Sequence, residues 1–309
     1  MTRSKVSVVS TVQALAAIAD DKALASALVR HLRDIGTEAN RQGMQRFGIN
    51  TERACGVSMA TLRPLARTLK PPRHKCAEYL WQSGVHEARV LATLLYAPDQ
   101  LTRNAMDAMV ADIDSWDLCD QACGNLLRRV DTRWELAYVW VEQEHEFVRR
   151  AGFALVASMA AKKGTTPAAM AISGTDAQFC DWLKGPALQY AADERNFVKK
   201  AVHWSIRQIG KRNADLWVAA MACARLLTER EEAVARWVGR ESLRELNTRK
   251  PSGVKDAAIT SDLKAERGQS VLDTPRKHKR VLSSEETSSA QPLETSAMPG
   301  VRRSTRCKR

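Results

Sequence analysis

The sequence predicts an all-α protein of stacked helical pairs, and three observations carry that prediction. Apolar residues recur at three- and four-residue spacing through residues 1–247, the period of a helix buried along one face. No run alternates in the manner of a strand, and no Gly-rich phosphate loop occurs, which disfavours an α/β nucleotide-binding fold. A weak internal repeat recurs at a spacing of about 50 to 60 residues, as expected for helical pairs stacked side by side.

In chain order, the first helix is expected within 11–33. Ser58 is an N-cap candidate for a helix with apolar positions at 59, 62, 65, 66 and 69. Further helices are expected at 74–83, 86–96, 99–112, 116–129, 133–144, 146–162, 176–191, 194–210, 214–227 and 232–246. Pro71, Pro72, Pro98 and Pro167 punctuate them. The repeat aligns Glu146–Leu155 with Asn196–Ser205, and a poorer copy spans His86–Ala92. The expected architecture is therefore a HEAT-like helical repeat solenoid, an α-α superhelix.

Charge is the second strong signal. The 309 residues hold 48 Lys+Arg against 35 Asp+Glu, a formal net charge of +13, which points to a polyanionic partner. Residues 248–309 alone hold 14 basic and 7 acidic residues and no Trp, Tyr or Phe. Such a segment buries too little apolar surface to offset its chain entropy, so a disordered basic tail is expected from residue 248. Its clusters, Arg276–Arg280 and Arg302–Arg309, suit either a nuclear import signal or a DNA-holding arm, or serve only as solvated chain. Residues 1–34 are expected to be a helical extension, and 35–247 the working domain.

No apolar run approaches the roughly 20 residues of a membrane span, and MTRSKVSVVS lacks a signal-peptide core, so no membrane association is expected. The seven cysteines are scattered and odd in number, which fits reduced thiols in an intracellular protein. That compartment is the nucleus in a eukaryote and the cytoplasm and nucleoid in a bacterium. Cys119 and Cys123 lack the further ligands of a zinc set nearby, and buried apolar thiols are the simpler reading.

Each repeat copy carries basic residues beside an apolar stripe: Arg89, then Arg149 and Arg150, then Lys199 and Lys200. In register, these would line one face and displace counterions from a phosphate backbone; singly, they would be solvated charges. The acidic-aromatic stretch Asp112–Gln121 is the candidate for chemistry; taken alone, it reads more simply as a buried Trp beside an exposed or capping Asp. Ser115 or Asp114 is an N-cap candidate and Asp117 suits the first-turn dipole, but Asp120 has no such role. Asp120 lies four residues after Trp116, so a carboxylate and an indole share one helix face, a pairing suited to a cationic ligand. Lys200, Trp204 and Arg207 share another face, which places an aromatic between two cations. His203 is expected to pack rather than react, and the remaining tryptophans to anchor helices.

These three stretches, Asp114–Asp120, Arg149–Ala151 and Phe197–Arg207, resemble the DNA alkylation repair family, the AlkD-like DNA glycosylases built from HEAT-like repeats. The resemblance spans roughly residues 35–246. Trp116 and Asp120 match the family's Trp-x-x-x-Asp pair, Trp204 its second active-site tryptophan, and Arg150 and Arg207 its DNA-contacting arginines. Gln45 and Arg46 are looser candidates for contacts from an early helix. The resemblance implies excision of cationic alkylated purines, N3-alkyladenine and N7-alkylguanine, from double-stranded DNA. It implies no metal or organic cofactor and no deep base-flipping pocket. Asp120 would stabilise the oxocarbenium-like sugar and position water. A solenoid gripping one duplex needs no partner subunit, so a monomer is expected. The rival is a non-catalytic HEAT-like module that binds branched DNA, RNA or a protein; a peptide-binding scaffold has only the architecture in its favour.

Overall fold

A computed structural model describes residues 11–161 and 173–251, and the expected tail from residue 252 onward lies outside them. Among the described residues the chain is entirely helical. We number the helices α1 (Asp21–Ile35), α2 (Glu38–Arg46), α3 (Met59–Thr68), α4 (His74–Gln82), α5 (His86–Leu95), α6 (Arg103–Ala111) and α7 (Trp116–Gln121). They continue as α8 (Arg133–Val141), α9 (Glu146–Ala161), α10 (Asp176–Lys184), α11 (Pro186–Gln189), α12 (Asn196–Gly210), α13 (Ala214–Thr228) and α14 (Ala233–Thr248).

Helices adjacent in sequence pack as pairs joined by short turns: α4 on α5, α8 on α9, α12 on α13 and α13 on α14. The pairs stack through α9 and α12, and the internal repeat falls on α5, α9 and α12. Their apolar stripes form one continuous core. In α9, every residue from Arg150 to Ala160 is buried, as befits a helix packed between neighbours. Gly152 permits the α8–α9 contact, since a Cβ there would lie 2.5 Å from Val141 Cγ1 and 2.8 Å from the Ala137 carbonyl oxygen.

The helix starts follow local chemistry. Asp20 accepts from the Ala23 amide at 2.6 Å and opens α1, which interrupts the helix expected over 11–33. Leu24, Leu28 and Leu32 of α1 are fully buried, and α1 packs on α4. Thr175 and Gln178 form a capping box at α10, and Asn213 caps α13. Periodicity alone does not delimit helix α2, since none of its residues is buried and it carries no apolar stripe. The helix expected over 116–129 divides into α7, a π-helical turn at Ala122–Leu126 and a 3₁₀ turn at Leu127–Arg129. The wider turn keeps Cys123, Leu126 and Leu127 all buried.

Candidate active site

The site is built around α7, whose first turn is held by side chains rather than by a conventional cap. Ser115 makes no capping bond; its hydroxyl donates to Asp117 Oδ1 at 2.8 Å. The other Asp117 oxygen meets His86 Nε2 of α5 at 2.9 Å. Burial disfavours charge on both groups, yet the pairing prevails, raising the His86 pKa and lowering that of Asp117. Asp117 is thus an anchor between α7 and α5 rather than a free dipole partner.

One turn later, Asp120 projects toward α9. Arg150 Nη2 donates to Asp120 Oδ1 at 2.7 Å, while Nη1 donates to the Phe197 carbonyl of α12, also at 2.7 Å. Arg150 is 5% exposed, so the carboxylate sits on a buried guanidinium that also grips the next repeat. The Asp120 side chain keeps 21% exposure, and among the described residues its Oδ2 takes part in no hydrogen bond. Burial raises the Asp120 pKa above the usual aspartate value, with the charge and hydrogen bond of Arg150 pulling the other way.

Trp116 is half-buried, and its indole Nε1 donates to the Phe47 carbonyl at 3.0 Å. Asn50, from the same loop, donates to Asp114 at 2.9 Å. The segment after α2 therefore braces the start of α7. Trp204 is half-buried against the core on α12, seven residues beyond Phe197 on the same face. Among the described residues, no hydrogen bond or ring contact joins Trp204 to Trp116 or Asp120. The structure thus brings Asp120 and Arg150 together, with Trp116 on the same short helix as Asp120.

The basic residues expected to grip phosphate differ in their surroundings. Arg89 Nε donates to the Trp81 carbonyl at 3.3 Å and Nη2 to Asp112 at 2.5 Å. Its repeat counterpart Arg149 donates to the Val141 carbonyl at 2.9 Å and to Asp193 at 2.8 Å. In both, the acceptor carbonyl lies eight residues back, at the C-terminal end of the preceding helix, where a cation is favoured. Their guanidiniums also lie over the rings of Trp81 and Tyr190. The repeated arginines therefore staple helix pairs, and the guanidiniums of Arg89, Arg149 and Arg150 all have partners within the protein. Arg207 forms an ion pair with Glu245. Lys199 lies 5.5 Å from the Trp237 ring centroid, and Lys200 is exposed. Gln45 is tied to Thr51 at 2.9 Å, and Arg46 is exposed.

Cys119 and Cys123 are buried, and among the described residues no group of three or more His, Cys, Asp or Glu side chains is placed to hold a metal. No described helix is long and apolar enough to cross a membrane. Glu87 has a role that its sequence position does not show: its carboxylate accepts the amides of Cys55, Gly56 and Val57 at 2.6–3.1 Å and fixes that loop against α5. An acid in the first turn of a helix is an ordinary feature, and no local pattern marked its distant partners.

Residues 28–246 match the sequence profile of the DNA alkylation repair enzyme family. The chain belongs to that family. One solved structure with this fold comes from a family of proteins related to the HEAT-like repeat DNA glycosylases, with affinity for branched DNA structures. It superposes with a TM-score of 0.57 at 16% identity, covering 74% of this chain and 98% of that one. At that identity the likeness shows the fold, a HEAT-like helical repeat. No curated protein sequence matches the chain significantly. The family profile covers α2 to α7, α9 and α12, and so every element of the site described above.

Proposed function

We propose that this member of the family is a DNA glycosylase that hydrolyses the N-glycosidic bond of cationic alkylated purines, N3-alkyladenine and N7-alkylguanine, in duplex DNA. One observation carries this reading: a partly exposed carboxylate, Asp120, fixed by a buried arginine on the helix that presents Trp116. A base already carrying positive charge leaves as a neutral purine, so the reaction needs no strong general acid. What it needs is an anion beside the sugar as the C1′–N bond breaks and positive charge develops on C1′ and the ring oxygen. Asp120 is suited to that role, since Oδ1 is immobilised by Arg150 and Oδ2 has no hydrogen bond within the described protein. Oδ2 also suits the positioning of the attacking water, whose oxygen bonds to C1′ as the purine leaves with the C1′–N electrons and the water's proton passes to solvent. Partial desolvation strengthens this interaction relative to bulk water.

The pairing also resolves a conflict in the charge pattern. A lone carboxylate would repel the phosphates of a bound duplex, whereas the Asp120–Arg150 pair is net neutral and still offers an oxygen. Trp116 and Trp204 favour the cationic base over the neutral product, with cation–π contacts worth about 0.5–2 kcal/mol each. Lys200 is an exposed cation on α12 available to phosphate. The protein is proposed to act as a monomer and without a cofactor.

The test is release of free base from methylated duplex DNA by the wild type and by Asp120→Asn. Release of 3-methyladenine or 7-methylguanine by the wild type alone supports the reading. Tight binding of branched DNA with no release would favour a non-catalytic module, in keeping with the affinity of the structurally similar family.

A further inference from the structure

Helix α2 and the turn after it form an arm with an unusual tip. None of the α2 side chains is buried, yet the turn is closely hydrogen-bonded. The Phe47 amide donates to the Met44 carbonyl at 3.0 Å, Gly48 to Gln45 at 2.8 Å and Ile49 to Met44 at 3.2 Å. Gly48 adopts φ +72°, a conformation that favours glycine and turns the chain sharply behind Phe47. The Phe47 ring is left 75% exposed, while the other exposed large apolar residues among those described reach only 37–42%.

A singly exposed apolar side chain is ordinary. This one stands out because of its neighbours. Its own carbonyl receives the Trp116 indole at 3.0 Å. A Cβ built on Gly48 would lie 4.0 Å from Phe197 Cζ. Phe197 stacks on Phe147 at 5.6 Å, and its carbonyl receives Arg150. The ordered tip thus holds Trp116 and lies beside Phe197, whose carbonyl Arg150 binds, and it carries an aromatic face that no described residue covers.

We propose that Phe47 stacks on a nucleobase of the duplex at the step beside the damaged nucleotide, holding the DNA open over Asp120. The inference rests on the glycosylase reading and adds a lesion-recognition residue to it. A π face left in water gains most from a ligand with π faces of its own, and duplex DNA yields such a face most cheaply where pairing is already weakened. An abasic or alkylated position is such a place.

The test uses the full chain and two duplexes, one undamaged and one carrying an uncharged tetrahydrofuran abasic analogue. Phe47→Ala is expected to weaken binding to the tetrahydrofuran duplex between about fivefold and about a hundredfold, the loss of one base–aromatic stack. Phe47→Trp is expected to restore it. Binding to undamaged duplex, the salt dependence of affinity and the thermal midpoint are expected to stay as in wild type. Unchanged tetrahydrofuran affinity in Phe47→Ala, or a loss that tryptophan does not restore, would overturn the inference. Base release by the wild type separates the two proposals. If the wild type releases base and Phe47→Ala binds normally, only the role of Phe47 falls. If the wild type neither releases base nor prefers the tetrahydrofuran duplex, both fall, before any variant is needed.

Discussion

Arg150 holds Asp120 Oδ1 with one guanidinium nitrogen and the Phe197 carbonyl with the other, both at 2.7 Å, so one side chain fixes the position of the carboxylate relative to α12. With Arg150 5% exposed, removing it strands a partly buried carboxylate. Arg150→Ala is expected to cost about 3–5 kcal/mol of stability, read by urea unfolding. It should also abolish base release, while the slope of log affinity against log salt remains that of wild type. A flattened slope with normal stability would instead make Arg150 a phosphate contact.

Lys200 should behave in the opposite way. It is exposed on α12, and Lys200→Ala is expected to lower affinity for many DNA sequences alike. The salt slope should fall by about one, with no change in thermal midpoint. The repeat staples provide the control, since Arg149→Ala and Arg89→Ala are expected to lower stability and leave the salt slope unchanged.

Packing between α8 and α9 gives a prediction independent of function. A Cβ at Gly152 would lie 2.5 Å from Val141 Cγ1. Gly152→Ala therefore forces α8 and α9 apart and should destabilise the protein by about 1–3 kcal/mol, checked by chemical denaturation.

The pH dependence of stability has a worked sign at His203. Burial, and then the neighbouring Arg207, lower its pKa from 6.5 to about 4. Between those values the unfolded chain binds a proton that the folded protein refuses. Stability is therefore full above pH 6.5 and falls as the pH drops toward 4, by up to about 3 kcal/mol. His203→Gln should lose less stability than wild type between pH 7.5 and 4.5 in urea titrations. The His86–Asp117 pair behaves differently. The raised His86 pKa stabilises below 6.5 and is lost as pH rises through its folded value. The lowered Asp117 pKa stabilises above 3.8 and is lost as pH falls through its folded value.

The helical architecture was legible because α5, α9 and α12 must each bury a stripe at helical spacing, and the stripe is written in residues such as Val148, Ala151 and Leu155. The same periodicity revealed the repeat but not the task of its basic residues. A sequence places Arg89 and Arg149 beside an apolar stripe; only the fold brings the Trp81 and Val141 carbonyls and the carboxylates of Asp112 and Asp193 within reach. The bounds of helix α2 are not legible because it buries none of its residues, nor is the role of Phe47, since a single aromatic in a polar segment carries no period. Asp120 is legible as an acid without a local role, whereas its ion pair with Arg150, thirty residues away, exists only in the fold.

The most direct measurement is the release of free bases from methylated duplex DNA, quantified by mass spectrometry for wild type and Asp120→Asn at moderate salt. The account predicts 3-methyladenine or 7-methylguanine from the wild type, almost none from the variant, and similar duplex affinity for both. Equal release by Asp120→Asn, or none by a wild type that binds the damaged duplex tightly, would contradict it.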